Sequence, residues 1–153
     1  GAAEALRHAH KALAKESDAR RAAAEAEGAA PPFAPPGVVF FSSVAARAGL
    51  PNHTIISAAK AGVEGLAVAA AAELAPKVRV NAVAPSLSAS AMAAPMLSNE
   101  AVAQGVAAAH PLRRTGLPTD LAAAADYLLG DGAGWVTGQV LAVDGGRGSI
   151  AGK

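Results

Sequence analysis

Apolar residues recur at three- and four-residue steps in some parts of the chain and form short continuous runs in others. The first pattern predicts helices at 2–27, 54–75, 99–109 and 121–129. The second predicts buried strands at 38–41, 78–85 and 139–143. Strands that alternate with helices imply right-handed crossovers, and therefore a parallel α/β sheet with helices on both faces.

A proline-rich segment, GAAPPFAPPG at 28–37, divides the chain. Its four prolines disfavour helix, so residues 1–36 are predicted to be an N-terminal helix followed by a Pro/Ala-rich linker. Residues 37–153 then hold the three strands, whereas a complete doubly wound domain has about six. The sequence therefore predicts an incomplete doubly wound sheet. Thr119 is the predicted N-cap of the last helix.

Composition narrows the possible functions. With 52% hydrophobic and 16% charged residues the chain is too apolar for disorder, and its net charge of +1 gives no sign of a nucleic-acid partner or an anionic membrane. The alanine-rich run at 66–74 is too short to span a bilayer. There is no cysteine, and His8 and His10 point to different helix faces, so no metal site is expected. A cytoplasmic setting is expected.

Candidate chemistry lies where the predicted strands end. Ser43 follows the first strand, and Lys60 lies one helical turn beyond Ile56 on the next helix. Pro85 ends the second strand. Because ligands of open α/β sheets bind beyond the carboxyl ends of the strands, these residues are expected to converge on one crevice. The alternatives are that Ser43 only caps a turn and that Lys60 is a surface lysine. His110, before Pro111, is interpreted as structural.

Several segments resemble the short-chain dehydrogenase/reductase family, in the right order over residues 37–148. They are GVVFFSSVAARAGLPNHTIISAAKAGVEGL, VRVNAVAP, LPTDLAAAADYLL and GWVTGQVLAVDGG. The resemblance implies the C-terminal half of a Rossmann domain that uses NAD or NADP to interconvert a small alcohol and a ketone. In that family a serine, here Ser43, holds the substrate oxygen, and a tyrosine four residues before the lysine exchanges the proton. The lysine, here Lys60, lowers the tyrosine pKa and binds the nicotinamide ribose.

The chain departs from the family pattern at three positions. Ile56 replaces the tyrosine and has no proton to give, so it is interpreted as core or pocket wall. Ser86 stands where glycine is usual, and Ser90 where threonine is usual; both, with Lys60 and Pro85, are the cofactor-binding residues that the resemblance implies. The glycine-rich cofactor loop and the catalytic asparagine are expected upstream of residue 1, so weak or absent cofactor binding is expected in this chain.

His53 is a less favoured replacement for the missing proton donor, because histidine is a common acid–base residue and this one lies close to the helix start. The other interpretation is that Thr54 caps the helix and His53 faces solvent. These departures leave two hypotheses: an oxidoreductase of impaired activity, or a non-catalytic truncated member that acts as a binding or oligomerisation module.

The helix at 54–75 is apolar nearly all round, which predicts a homodimer or homotetramer. Val63, Ala67 and Ala70 are expected near the contact between subunits, unless the first helix, at 2–13, covers this surface within one chain.

Overall fold

The computed structural model describes residues 1–28 and 34–150. Its helices are α1 (Ala2–Ala26), α2 (Thr54–Leu74), α3 (Ala94–Leu97), α4 (Glu100–Ala108) and α5 (Pro118–Leu129). Its strands are β1 (Gly37–Phe41), β2 (Arg79–Pro85) and β3 (Val140–Val143). All the predicted helices and strands are present, and α3 is an additional short helix.

The three strands form one parallel sheet in the order β1-β2-β3. Val39 pairs with Asn81 in the first ladder, and Ala82 pairs with Val140 in the second. The central strand β2 is buried along almost its whole length, which explains its continuous apolar run. The prediction of a parallel α/β sheet is confirmed.

Helix α2 packs on this sheet through alanines. Ala67, Ala70 and Ala71 are buried in one cluster with Val78 and Val80 at the start of β2. Small side chains let the helix approach the sheet closely, and Leu6 and Leu13 of α1 pack against the same cluster. The prediction that Ala67 and Ala70 lie at a contact between subunits is therefore wrong, because both face the sheet of their own chain.

The other side of α2 is exposed. Ala61, Gly65, Val68 and Ala72 follow one another at helical spacing and are all exposed, so they form an outward stripe, here called the α2 stripe. By length and composition alone α2 also passes as a membrane span, a test that core helices pass as well. The sheet accounts for only one side of its apolar character.

Helix α1 lies with a slightly different face inward than its sequence predicts. Ala9 is exposed, while His10 is half-buried between Leu6 and Leu13. The second half of α1 is held by an ion pair in which Lys77 Nζ lies 2.8 Å from Asp18 Oδ2, at the far end of α2.

Two polar side chains of β2 hold neighbouring segments of the chain in place. Asn81 is fully buried; its Nδ2 donates to Val136 O at 2.9 Å and its Oδ1 accepts from Gln139 N at 3.0 Å, so it holds the segment leading into β3. Arg79 is buried against the end of α5 and donates to Leu128 O at 2.7 Å. A Cβ at Gly37 would lie 2.9 Å from that same carbonyl, so glycine is required there for the strand to pass.

Two predicted helix caps differ in the structure. Helix α5 begins at Pro118, one residue before the predicted cap Thr119, because Asp120 turns back and accepts a hydrogen bond from Leu117 N at 2.7 Å. Proline at the first helical position has no N–H to satisfy. Helix α2 begins at Thr54, whose side chain makes no capping hydrogen bond, and His53 holds the N-cap position.

Candidate active site

The carboxyl ends of the three parallel strands meet at one edge of the sheet. β1 ends at Phe41 and leads into Ser42 and Ser43, and β2 ends at Pro85 and leads into Ser86. The last strand, β3, leads into the Asp144 turn. The topology therefore brings residues that are far apart in the sequence to one edge of the sheet.

Ser43 begins a short 3₁₀ turn after β1. Its backbone is extended, and its Oγ accepts a hydrogen bond from Ala45 N at 3.2 Å. This is the turn-capping role considered as the alternative for Ser43. The capping bond uses an oxygen lone pair and not the hydroxyl hydrogen, so the half-buried hydroxyl keeps its capacity to donate.

Lys60 reaches the same end of the sheet from α2. Its Nζ donates to the carbonyl oxygen of Phe41 at 2.9 Å, which places the ammonium two residues from Ser43. An ammonium has three donors, and this bond uses one of them. Ser43 and Lys60 thus lie at one end of β1, and no hydrogen bond joins their side chains among the described residues.

A buried acid that the sequence analysis did not single out fastens α2 to β1. Glu64 accepts a hydrogen bond from Ser42 Oγ at 2.9 Å through Oε1, and from Arg47 Nε at 2.7 Å through Oε2. Ser42 is only 4% exposed, and its hydroxyl also lies 3.2 Å from Lys60 O. The available signal is that Glu64, one of only two carboxylates on α2, lies one turn after Lys60. This network sets the position from which Lys60 reaches β1.

Ile56 and His53 lie at the rim of this edge. Ile56 is 43% exposed, so it does not belong to the core of this chain, and its interpretation as a pocket wall stays a prediction. His53 is exposed, and its Nδ1 lies 2.6 Å from Pro51 O. Its position matches the interpretation in which His53 faces solvent.

Ser86 directs its side chain away from β1. Its Oγ lies 2.8 Å from His110 Nε2, and the Nδ1 of the same ring lies 2.7 Å from Val106 O in α4. His110 is 2% exposed. The serine hydroxyl is therefore turned towards α4, while its amide donates to Val143 O at 3.4 Å. Ser90 accepts from Ala93 N at 3.2 Å and caps the turn before α3.

A cavity of about 250 Å³ opens beside Ser86. Its walls come from the segment after β2, the end of α4, the start of α5 and the turn after β3; they include Ser86, Leu87, Ser88, His110, Leu112, Arg114, Asp120, Val143 and Asp144. This set contains neither Ser43 nor Lys60, so the cavity and the Lys60 end of the sheet are two neighbouring places.

Charge in the cavity wall is compensated locally. Arg114 holds Asp120 through two bonds of 2.6 and 2.9 Å, and this hydrogen-bonded pair lowers the pKa of Asp120 to about 2. The Asp144 carboxylate accepts from Gly146 N and Gly148 N. Within residues 1–28 and 34–150, no three acidic or histidine side chains are grouped as a metal ion would require.

The residues at this edge suit part of a nicotinamide cofactor. Lys60 keeps two donors for ribose hydroxyls beside the end of β1, and the half-buried segment from Pro85 offers a backbone surface at the end of β2. Within residues 1–28 and 34–150, no strand leads through a glycine-rich turn into a helix that could hold the pyrophosphate. The fit therefore covers the nicotinamide half.

Comparisons with known proteins agree with this geometry. A family model described as enoyl-(acyl carrier protein) reductase matches residues 6–147. The 3-oxoacyl-(acyl-carrier-protein) reductase FabG of Chlamydia trachomatis is 40% identical over 113 residues, which are 71% of this chain and 44% of that protein. The chain thus spans about half the length of the curated relatives it matches.

Solved structures give the same result for the fold. A short-chain type dehydrogenase/reductase from Mycobacterium ulcerans superposes with a TM-score of 0.77 at 30% identity, over 96% of this chain and 48% of that one. ElxO, solved with NADP bound, also has a TM-score of 0.77, at 26% identity over 95% of this chain and 52% of its own. With a matching family model over residues 6–147, the chain belongs to the short-chain dehydrogenase/reductase family, of which it carries a partial Rossmann-like sheet.

Proposed function

We propose that this chain is part of an NAD(P)-dependent oxidoreductase that acts on a small alcohol or ketone, and that its proton transfer is impaired. The observation that carries the proposal is the bond from Lys60 to the carbonyl of Phe41, two residues before Ser43, with Ile56 exposed one helical turn earlier. Structures of relatives with NADP or NADPH bound support the choice of cofactor.

In this proposal Lys60 binds the nicotinamide ribose, and the segment containing Pro85, Ser86 and Ser90 lies against the nicotinamide ring. Hydride transfer is the chemistry that the cofactor supplies when it is bound. Ser43 donates its remaining hydroxyl hydrogen to the substrate oxygen, and Glu64 keeps α2 at the distance that lets Lys60 reach β1.

The proposed mechanism lacks a group that exchanges the proton with the substrate. Ile56 offers no group that exchanges one, although the Lys60 ammonium is in place to stabilise a phenolate at that position. General acid–base catalysis typically contributes about 10²–10⁴-fold to a rate. We therefore expect ketone reduction to be slower by about that factor than in a member with tyrosine there.

Ile56→Tyr tests the proposal directly, with Ile55→Tyr as the matched control. Both positions are exposed at the start of α2, at 43% and 88%, but only residue 56 lies one turn before Lys60. With NADPH and a 3-oxoacyl thioester as the ketone, Ile56→Tyr is expected to raise the rate about 100-fold, and Ile55→Tyr to leave it unchanged. Equal effects of the two substitutions would contradict the proposal.

The same assay separates the second candidate, a non-catalytic binding or oligomerisation module. If neither the parent chain nor Ile56→Tyr oxidises NADPH, although Ile56→Tyr is folded and binds the nucleotide, the module is favoured. We expect isolated residues 1–153 to bind NADPH weakly, because the pyrophosphate contacts are not among them. Micromolar binding by calorimetry would show that another segment of this chain holds the pyrophosphate.

We also propose that the chain forms a homodimer or homotetramer through the α2 stripe. Val68 is 51% exposed at its centre, flanked by glycine and alanine, which let two helices approach closely. A helix this poor in charge favours burial on both sides, and the sheet covers only one. The first two turns of α1 flank α2 along Ala59, Gly62 and Leu66 and leave the stripe open.

A further inference from the structure

The pairing of Ser86 with His110 has the geometry of a nucleophile and its base. The two side chains are 2.8 Å apart, and the second ring nitrogen of His110 lies 2.7 Å from a carbonyl oxygen, that of Val106. A carbonyl only accepts, so Nδ1 carries the proton. In the neutral imidazole Nε2 is then an acceptor, and the Ser86 hydroxyl donates to it. This is the arrangement in which a base can take a serine proton.

The base is held and its partner is accessible. His110 is 2% exposed and follows the end of α4, so its ring is fixed by packing as well as by the Val106 carbonyl. Ser86 is half-buried and lines the cavity of about 250 Å³. A small molecule in that cavity would thus lie within reach of the hydroxyl.

Free backbone donors lie next to the hydroxyl. Within residues 1–28 and 34–150, the amides of Leu87 and Ser88 have no hydrogen-bond acceptor, although both residues line the cavity. The amide that follows a nucleophilic serine is the one that commonly stabilises the oxyanion in serine hydrolases. Serine, base, orienting carbonyl and unused amides therefore occur together at one cavity.

We propose that Ser86 is a nucleophile that accepts an acyl group from a small, uncharged carboxylic ester, with His110 as its general base. Ser86 Oγ attacks the ester carbonyl carbon while its proton passes to His110 Nε2. The bond between the carbonyl carbon and the leaving oxygen breaks, and the alcohol departs with that proton. Water then attacks the acyl-serine, gives its proton to His110, and releases the carboxylic acid and the free serine.

The lining and the volume of the cavity indicate which class of ester it would bind. The Asp144 and Asp120 carboxylates lie in its wall, and only Asp120 has an arginine partner, so an anionic substrate is disfavoured. Leu112 and Val143 offer apolar contact for an acyl chain. At about 250 Å³ the space suits an acetyl or a short acyl group and not a long chain.

Two probes test the proposal on the intact chain. Incubation with p-nitrophenyl acetate should release nitrophenolate, and a fluorophosphonate should add one phosphonyl group as the P–F bond breaks and fluoride leaves. Fragmentation of the tryptic peptide at 80–113 should place that group on Ser86. Ser86→Ala should abolish labelling, and His110→Gln should slow it about 100-fold. Ser98→Ala, an exposed serine in the same peptide, is the matched control and should label normally.

Localisation on the wild-type chain keeps the test decisive even if a variant fails to fold. No adduct after exposure to millimolar probe, or an adduct on another residue, overturns the proposal. Labelling of Ser86 at the same rate in folded His110→Gln overturns the assignment of the base. Because neither probe requires NAD(P), failure here leaves the proposed oxidoreductase function untouched.

Discussion

Arg79 is the side chain whose loss should cost this fold most. Its guanidinium donates to Leu128 O at 2.7 Å and Pro35 O at 2.8 Å, with longer bonds to Leu129 O and Gly130 O. Arg79 is only 3% exposed, and this burial lowers the pKa of its guanidinium. Helix α5 has no basic residue in its last turn, so Arg79 supplies the positive charge at that helix end from β2.

Arg79→Met keeps the length of the side chain and removes every donor. A hydrogen bond to a charged group contributes about 1.5–3 kcal/mol, and the two shortest bonds together give about 3–6 kcal/mol. Relief of the desolvation of a buried guanidinium offsets part of this, which leaves a net loss of about 3 kcal/mol. For a chain of this size that corresponds to a fall in Tm of about 6–12 °C.

Thermal unfolding followed by circular dichroism, with urea unfolding beside it, measures the loss. Arg20→Met is the matched control, because Arg20 is a surface residue that pairs with Glu16 and its loss should leave Tm nearly unchanged. If Arg79→Met behaves like the control, the carbonyls at the end of α5 do not depend on Arg79, and the reasoning is refuted.

Four further substitutions test other parts of the structure. Because the pKa of Asp120 is lowered from 3.8 to about 2, its stabilisation is fully present above about pH 4 and is lost as pH falls through 2; acid titrations of wild type and Asp120→Asn should therefore differ at pH 5 and converge near pH 2. Ala67→Glu should unfold the chain, because Ala67 is buried against the sheet, whereas Val68→Glu should stay folded and sediment as a monomer; a dimer unchanged by Val68→Glu would place the interface elsewhere. Ser17→Ala should raise the stability by about 1 kcal/mol, because the buried Ser17 hydroxyl has no partner among the described residues; a loss of stability in urea would contradict this.

The elements of the fold can be predicted from the local pattern of residues. Which side of α2 is buried cannot. Runs such as VVFF and VRVNAVAP predict strands because β-branched residues in continuous stretches suit a sheet covered on both faces. Helix α2 carries alanine on every side, so no stripe distinguishes its inward face, and Ala67, expected near a subunit contact, is buried against the sheet instead. Only the packing of α2 on β2 decides between them.

The candidate site divides in the same way. Spacing along one helix and one strand end is enough to bring Lys60 near Ser43, because both depend on short stretches of regular structure. The pair formed by Ser86 and His110 joins positions 24 apart, across α3 and α4. Glu64 is likewise recognised as part of the site only by its hydrogen bond with Ser42, which lies on another element. Neither contact follows from a periodic pattern in the sequence, so neither could be predicted from the sequence.

The two places at the carboxyl edge of the sheet use different faces of one segment. On the β1 side, Lys60 donates to the carbonyl of Phe41, and Ile56 provides no phenol one turn earlier. On the α4 side, the hydroxyl of Ser86 points to His110 while its backbone continues the end of β2. We therefore expect a change at Ile56 to alter the proposed oxidoreductase activity without reaching the imidazole, and a change at His110 to act on Ser86 without touching Lys60. The two proposed activities should therefore be separable by the single substitutions Ile56→Tyr and His110→Gln, because Lys60 lies on α2 and His110 follows α4.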